Sequence, residues 1–141
     1  MAQNALYDYA RELFLTGQIN WLADSGNGRF KLLLTNSLYT PDTANHKFVS
    51  MVGAEARVGS PTGVPLMNCS ATGGAADADD VVFTSVTGDT VQNLILYEDK
   101  GQENMSPLIA AIGMATGLPI TPNGGDIIVT WDNGSNKIFK L

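Results

Sequence analysis

The chain has 141 residues, 44% of them hydrophobic and 16% charged. That suits one domain burying about two thirds of its unfolded surface and excludes disorder driven by low hydrophobicity and self-repulsion. Eight Lys and Arg against 14 Asp and Glu give a net charge of −6, the wrong sign for gripping phosphate backbones by counterion release, so no nucleic-acid partner is expected. One cysteine, Cys69, and one histidine, His46, exclude an intramolecular disulfide and a zinc site built from thiolate and imidazole ligands.

Residues 1–16 mix Asp8, Arg11 and Glu12 among apolar residues. This is unlike the apolar core of a secretory signal, and synthesis in a cytoplasm without processing is expected. Asn4 reads as the N-cap of a helix over residues 4–16, and at 100° per residue Tyr7, Leu6, Tyr9, Ala10, Leu13 and Phe14 share an arc of about 160°. Asp8, Arg11 and Glu12 take the other side, and Gly17 supplies the C′ position that ends many helices.

Beyond Gly17 the hydrophobic period changes from 3.6 to 2. Phe30, Leu32 and Leu34 alternate with Arg29, Lys31 and Thr35, as in a half-buried strand, with only Leu33 out of phase. Residues 19–23 read as its antiparallel partner through Asp24-Ser25-Gly26-Asn27-Gly28. From 38 to 69, Pro41, Pro61, Pro65 and three glycines predict short strands and loops, with a helical turn near 43–50. Residues 70–78 read as a flexible small-residue connection outside the core.

Strands are predicted over 81–86 and 91–97, the second apolar on both faces as in a covered central strand, and over 108–112. Residues 117–125 form a turn segment. The last two strands, 127–131 and 137–141, flank Asp132-Asn133-Gly134-Ser135, whose Asn-Gly is a hairpin signal. The final strand should tie the terminus into a sheet. The longest apolar stretch, 108–115, falls far short of the about 20 residues that span a bilayer, so no membrane segment is expected. The fold class is therefore mainly β, an antiparallel β-sandwich or barrel with one N-terminal α-helix. It is read as one domain over 1–141, with the helix at 4–16 and a β-rich body at 19–141.

No catalytic, cofactor-binding or metal-ligating set is assigned. His46, in Asn45-His46-Lys47, reads as a loop or edge histidine, not a base. Cys69 has no basic neighbour to lower its pKa, and no serine sits in a G-x-S-x-G setting. Asp77, Asp79 and Asp80 lack the glycine and terminal Glu of a calcium loop and read as a solvated turn. Gly26-Asn27-Gly28 and Gly124-Gly125 are turns, not phosphate loops.

Two features point to contacts. The helical arc is wider than the about 100° a surface helix needs, and Leu15 lies opposite it. Either the helix is wedged against another chain or its own domain covers more of it. The second feature is an apolar loop around 60–67, of a kind that often carries binding surfaces. Tyr7, Phe14, Leu15, Val64, Leu66 and Met67 are the candidate partner-contact residues.

Several strings carry a resemblance. They are Leu6-Tyr7-Asp8 with Ala10-Arg11, Asp79-Asp80-Val81-Val82-Phe83 followed by Gly88-Asp89, Leu94-Ile95-Leu96-Tyr97-Glu98-Asp99-Lys100-Gly101, and Ser106-Pro107-Leu108-Ile109-Ala110. A further string runs Gly117-Leu118-Pro119-Ile120-Thr121-Pro122-Asn123-Gly124-Gly125-Asp126-Ile127, followed by Trp131, Asn133-Gly134 and Ile138-Phe139-Lys140-Leu141. In these, spread over most of the chain, the sequence resembles a family of small virion structural proteins of tailed bacteriophages. It departs from the family at Ser25-Gly26-Asn27-Gly28, where an acidic run often leads into the first strand.

The resemblance implies a non-enzymatic capsid decoration or cement protein, located in the virion, that binds and stabilises the outer surface of the major capsid protein lattice. A homo-oligomer, such as a trimer at a threefold site, would match that placement. The alternative it leaves open is a neck, tail or fibre-attachment protein. A host-surface or glycan-binding module using Trp21, Trp131 or the tyrosines ranks below both, since aromatics in a sandwich are more often core.

Overall fold

The computed structural model describes residues 4–22, 28–132, 134 and 137–141. Among them the chain is mainly β, with eleven strands in antiparallel sheets, one N-terminal helix and no closed barrel. The barrel alternative therefore falls away.

The first element is a strand, not a helix. β1 (Asn4–Leu6) pairs with β9 (Leu108–Ile112) in the register Asn4↔Ile112, Ala5↔Ala111, Leu6↔Ala110. Asn4 does not cap a helix. Its Oδ1 accepts the backbone N–H groups of Gly113 and Met114 at 3.0 and 2.9 Å, and its Nδ2 donates to the Met114 carbonyl. The short amide thus extends the β1–β9 ladder past its end, competing successfully with helix initiation.

Helix α1 covers Asp8–Leu15 with Tyr7 at the N-cap. It ends as the glycine predicted, with Gly17 N–H on the Phe14 carbonyl and Gln18 N–H on the Leu13 carbonyl, the paired bonds of a Schellman motif. Tyr7, Ala10 and Leu13 are buried, and Tyr9 and Phe14 pack against the core from its margin.

β2 (Phe30–Thr35) and β8 (Asn93–Glu98) form the centre of the large sheet, paired from Phe30↔Glu98 to Thr35↔Asn93. The sheet runs β1-β9-β8-β2, and the far edge of β2 is shared by β3 (Arg57–Val58) and β4 (Val64–Pro65). Both faces of β8 are buried, as its sequence predicts. β2 departs from the half-buried reading, because Leu33 and Thr35 are fully covered and only Lys31 reaches the margin, where its Nζ meets Asp99 Oδ2 at 2.7 Å. Leu33 was out of phase because this strand has no solvent face.

The expected partner of β2 over 19–23 is not a strand. Ile19 and Asn20 are irregular, Trp21 and Leu22 take helical backbone, and Ala23 with the turn 24–27 lies outside the described residues. The prolines and glycines of 38–69 do yield short pieces, including 3-10 turns at Val49–Met51 and Ala54–Ala56.

Residues 70–78 also differ from expectation. β5 (Ser70–Thr72) and β6 (Ala75–Asp77) form a hairpin whose two-residue loop, Gly73-Gly74, has φ of +62° and +80°. Only glycine enters that conformation freely at both positions. Ala75 and Ala76 are buried because their small side chains let β6 lie close to the core.

β7 (Val81–Phe83) pairs with β10 (Ile127–Val129), and β11 (Phe139–Lys140) pairs with β6. Among the described residues the last two strands therefore do not pair with each other, since each finds an earlier strand in a different sheet; Asn133 and Ser135 of the predicted turn lie outside the described residues. The terminus is tied in as expected, with the Leu141 N–H on the Gly74 carbonyl at 3.0 Å.

Candidate functional site

Of the six candidate contact residues, two are inside the protein. Tyr7 is 0% exposed and Leu66 1%, so neither touches a partner. The Tyr7 hydroxyl lies 2.7 Å from that of Tyr39, which is 3.0 Å from His46 Nδ1. The Asp42 backbone N–H also donates to that nitrogen at 3.2 Å, so Nδ1 acts as an acceptor. The chain therefore runs from the Tyr7 hydroxyl to Tyr39 to the imidazole. Burial pushes both tyrosines above their ordinary range, Tyr7 furthest. His46 thus serves as the outer end of a structural hydrogen-bond chain that docks the 39–47 loop on α1. Asp8 N–H donating to the Thr43 carbonyl and Lys47 Nζ over the Tyr9 ring support the same junction.

The other four candidates fall on separate surfaces. Val64 is half-buried in a cleft of about 400 Å³ with Gly59, Ser60 and the end of β7. Met67 is 58% exposed, its carbonyl held by the Asp79 N–H. Phe14 is half-buried and Leu15 is 87% exposed at the end of α1.

Phe14 helps to build an aromatic cleft. Its ring lies 5.8 Å from that of Phe139 on β11, which meets Trp21 edge-on at 5.4 Å and 80°. Trp21 in turn stacks 4.5 Å from Phe30 of the central sheet and donates its indole N–H to the Ser70 carbonyl. Between these rings and the alanines of β5 and β6 opens a cleft of about 270 Å³. Leu141 lies on its rim and, like Leu22 beside Trp21, is exposed. The cleft is a concave apolar surface with the exposed Leu141 in its lining, a shape with room for an apolar side chain. Phe14 and Leu15 were legible from the helical wheel. Trp21, Phe139 and the alanines were not, although the Gly73-Gly74 turn signal could have placed β5 and β6.

The acidic cluster has a structural use. The Asp79 carbonyl accepts the Trp131 indole N–H at 3.0 Å, the Asp80 carboxylate accepts the Trp131 backbone N–H, and Asn68 donates to the Asp79 carboxylate. Among the described residues no three His, Cys, Asp or Glu side chains gather where a metal ion could be held.

The buried cation is Arg57, 6% exposed at its side chain. It donates to the carbonyls of Val49, Val52 and Pro61 and to both carboxylate oxygens of Glu103. Glu103 is thereby held below the usual carboxylate range. Among the described residues no helix is long and apolar enough to cross a membrane. Compared with known proteins, the chain matches no protein-family model and no curated protein.

Proposed function

We propose that this protein is a non-enzymatic virion structural protein of a tailed phage, a capsid decoration or cement protein that binds the outer surface of the major capsid lattice as a homo-oligomer. The observation that carries the binding part of this reading is the aromatic cleft of Phe14, Trp21 and Phe139 with the exposed Leu141 in its lining. The virion placement is supported by the sequence resemblance alone. A protein that holds assembled subunits and not free ones stabilises the lattice by mass action, and a mainly β body with short ties between sheets suits that passive role.

Quantitative gel analysis of purified particles tests it. The expected result is a copy number comparable to that of the major capsid protein. A count of about 6 to 12 would place the chain in a ring of the neck or tail instead, and absence from mature particles would overturn the reading.

A further inference from the structure

Two stretches of the sequence share one pattern, Asp80-Val81-Val82-Phe83-Thr84 and Asp126-Ile127-Ile128-Val129-Thr130. Their middles are β7 and β10, which pair antiparallel as a two-stranded ribbon in the register Ile127↔Phe83, Ile128↔Val82, Val129↔Val81. Alternation sends Val81, Phe83, Ile127 and Val129 into the core and leaves Asp80, Val82, Thr84, Asp126, Ile128 and Thr130 exposed on the other face. Because the strands run in opposite directions, the shared pattern becomes a face with approximate two-fold symmetry. Asp80 and Asp126 stand at opposite corners, and the Val82–Ile128 pair lies between them. The corners behave alike. The Trp131 N–H donates to Asp80 Oδ1 at 3.4 Å and the Ser85 N–H to Asp126 Oδ1 at 2.9 Å, each from the residue that follows the other strand's threonine. Among the described residues neither carboxylate is in an ion pair. Residues 77–89 and 120–136 contain no Lys or Arg, so nothing on the ribbon offsets their charge. Two directly opposed β-branched side chains, exposed in mid-ribbon and rimmed by charge, mark a contact surface, and the buried inner face holds it in place.

We propose that this face docks an extended segment of a partner protein that carries a cation, an apolar side chain and a second cation at alternate positions. Alternate side chains of an extended chain share one face, and positions i and i+4 lie about 13 Å apart. The two corners are offset by the same four residues of strand. Both cations therefore reach a carboxylate while the apolar side chain between them covers Val82 and Ile128. A second copy of the same face would bring like charges together, so charge complementarity selects a basic occupant. This inference does not rest on the virion reading, and the face shares no residue with the aromatic cleft.

The test is NMR titration of the isotope-labelled whole protein with a pentapeptide of lysine, serine, valine, serine and lysine. Saturable shifts centred on residues 80–85 and 126–131 are expected. A peptide with serine at its centre, one with glutamate at both ends and a linear polyamine should each bind at least about fivefold more weakly, since each lacks the apolar contact or the sign of charge. Raising NaCl from about 0.05 to about 0.5 M should weaken binding by about tenfold, as screening requires. Asp80→Asn with Asp126→Asn keeps an acceptor for each N–H group and should weaken binding by about tenfold while thermal unfolding stays unchanged. Val82→Thr with Ile128→Thr, which keeps β-branched side chains at exposed sites, should weaken it by about fivefold. No saturable binding, equal binding of the serine-centred peptide or the polyamine, shifts centred elsewhere, or indifference to salt or to either double variant would each overturn the proposal.

Discussion

Arg57 and Glu103 meet in a two-point ion pair, Nη1 2.7 Å from Oε2 and Nη2 2.8 Å from Oε1, across 46 positions of sequence. The same guanidinium holds the carbonyls that close the Val49–Met51 turn and the Pro61 loop. One side chain therefore joins three segments that carry little regular structure of their own.

Arg57→Ala is expected to lower stability by about 2 kcal/mol, since it strands buried carbonyls. Glu103→Gln should cost less than about 1 kcal/mol, because that carboxylate is half exposed. The folded carboxylate lies below its unfolded value, so the pair's contribution is present above the unfolded value near pH 4.3 and is lost as pH falls through the lower folded one. Urea unfolding along that acid limb should show a shallower loss for Glu103→Gln than for the wild type. Equal slopes would show that the pair does not couple to folding.

The tyrosines set an alkaline limb. Burial pushes Tyr97 up to about 12 and Tyr7 beyond it. A phenol raised in the fold contributes stability that is complete below the unfolded value near 10 and is lost as pH rises through the folded one. Ultraviolet titration of tyrosinate should therefore show part of the signal delayed until the chain unfolds. Tyr7→Phe should cost about 1 kcal/mol by removing the buried bond to Tyr39.

Two glycines with the same sign of φ should respond differently to alanine. At Gly63, φ +78°, a Cβ would lie 2.7 Å from the Leu32 carbonyl oxygen, a backbone atom that cannot move without breaking β2. At Gly17, φ +77°, nothing lies within 4 Å. Gly17→Ala should cost about 1 kcal/mol for the left-handed conformation alone, and Gly63→Ala clearly more, measured by midpoint shifts in urea. Similar shifts would show that the loop at 60–63 relaxes freely.

Phe139→Ala should destabilise the protein by about 2 to 3 kcal/mol, because it leaves Phe14 and Trp21 without the ring between them. Leu15→Ser, at a site 87% exposed, should leave the melting temperature within about 1 °C. It is nevertheless expected to reduce attachment to particles that lack the protein, measured by co-sedimentation. Unchanged attachment would remove Leu15 from the proposed interface.

Local signals were legible wherever neighbours in sequence decided the outcome. The apolar arc of α1 and its glycine stop, the covered strand at Asn93–Glu98 and the strand at Leu108–Ile112 all follow from periodicity. The aromatic cleft was half legible, because Phe14 lies on a periodic helix whereas Trp21 and Phe139 come from segments whose partners are remote. Among the described residues neither 19–22 with β2 nor β10 with β11 pairs as the turn signals suggest. A turn signal shows that a reversal is possible there, but β2 pairs with β8, β10 with β7 and β11 with β6, partners remote in sequence that no local signal names.

Composition and period by themselves determined a mainly β chain with one N-terminal helix and an acidic character, because hydrophobic alternation and charge are properties of the residues alone. The tertiary structure decided which strands are neighbours, that Tyr7 and Leu66 are core, and that Phe14, Trp21 and Phe139 surround a common cleft. Those outcomes depend on competition among non-local pairings, settled by the total area that packing removes from water.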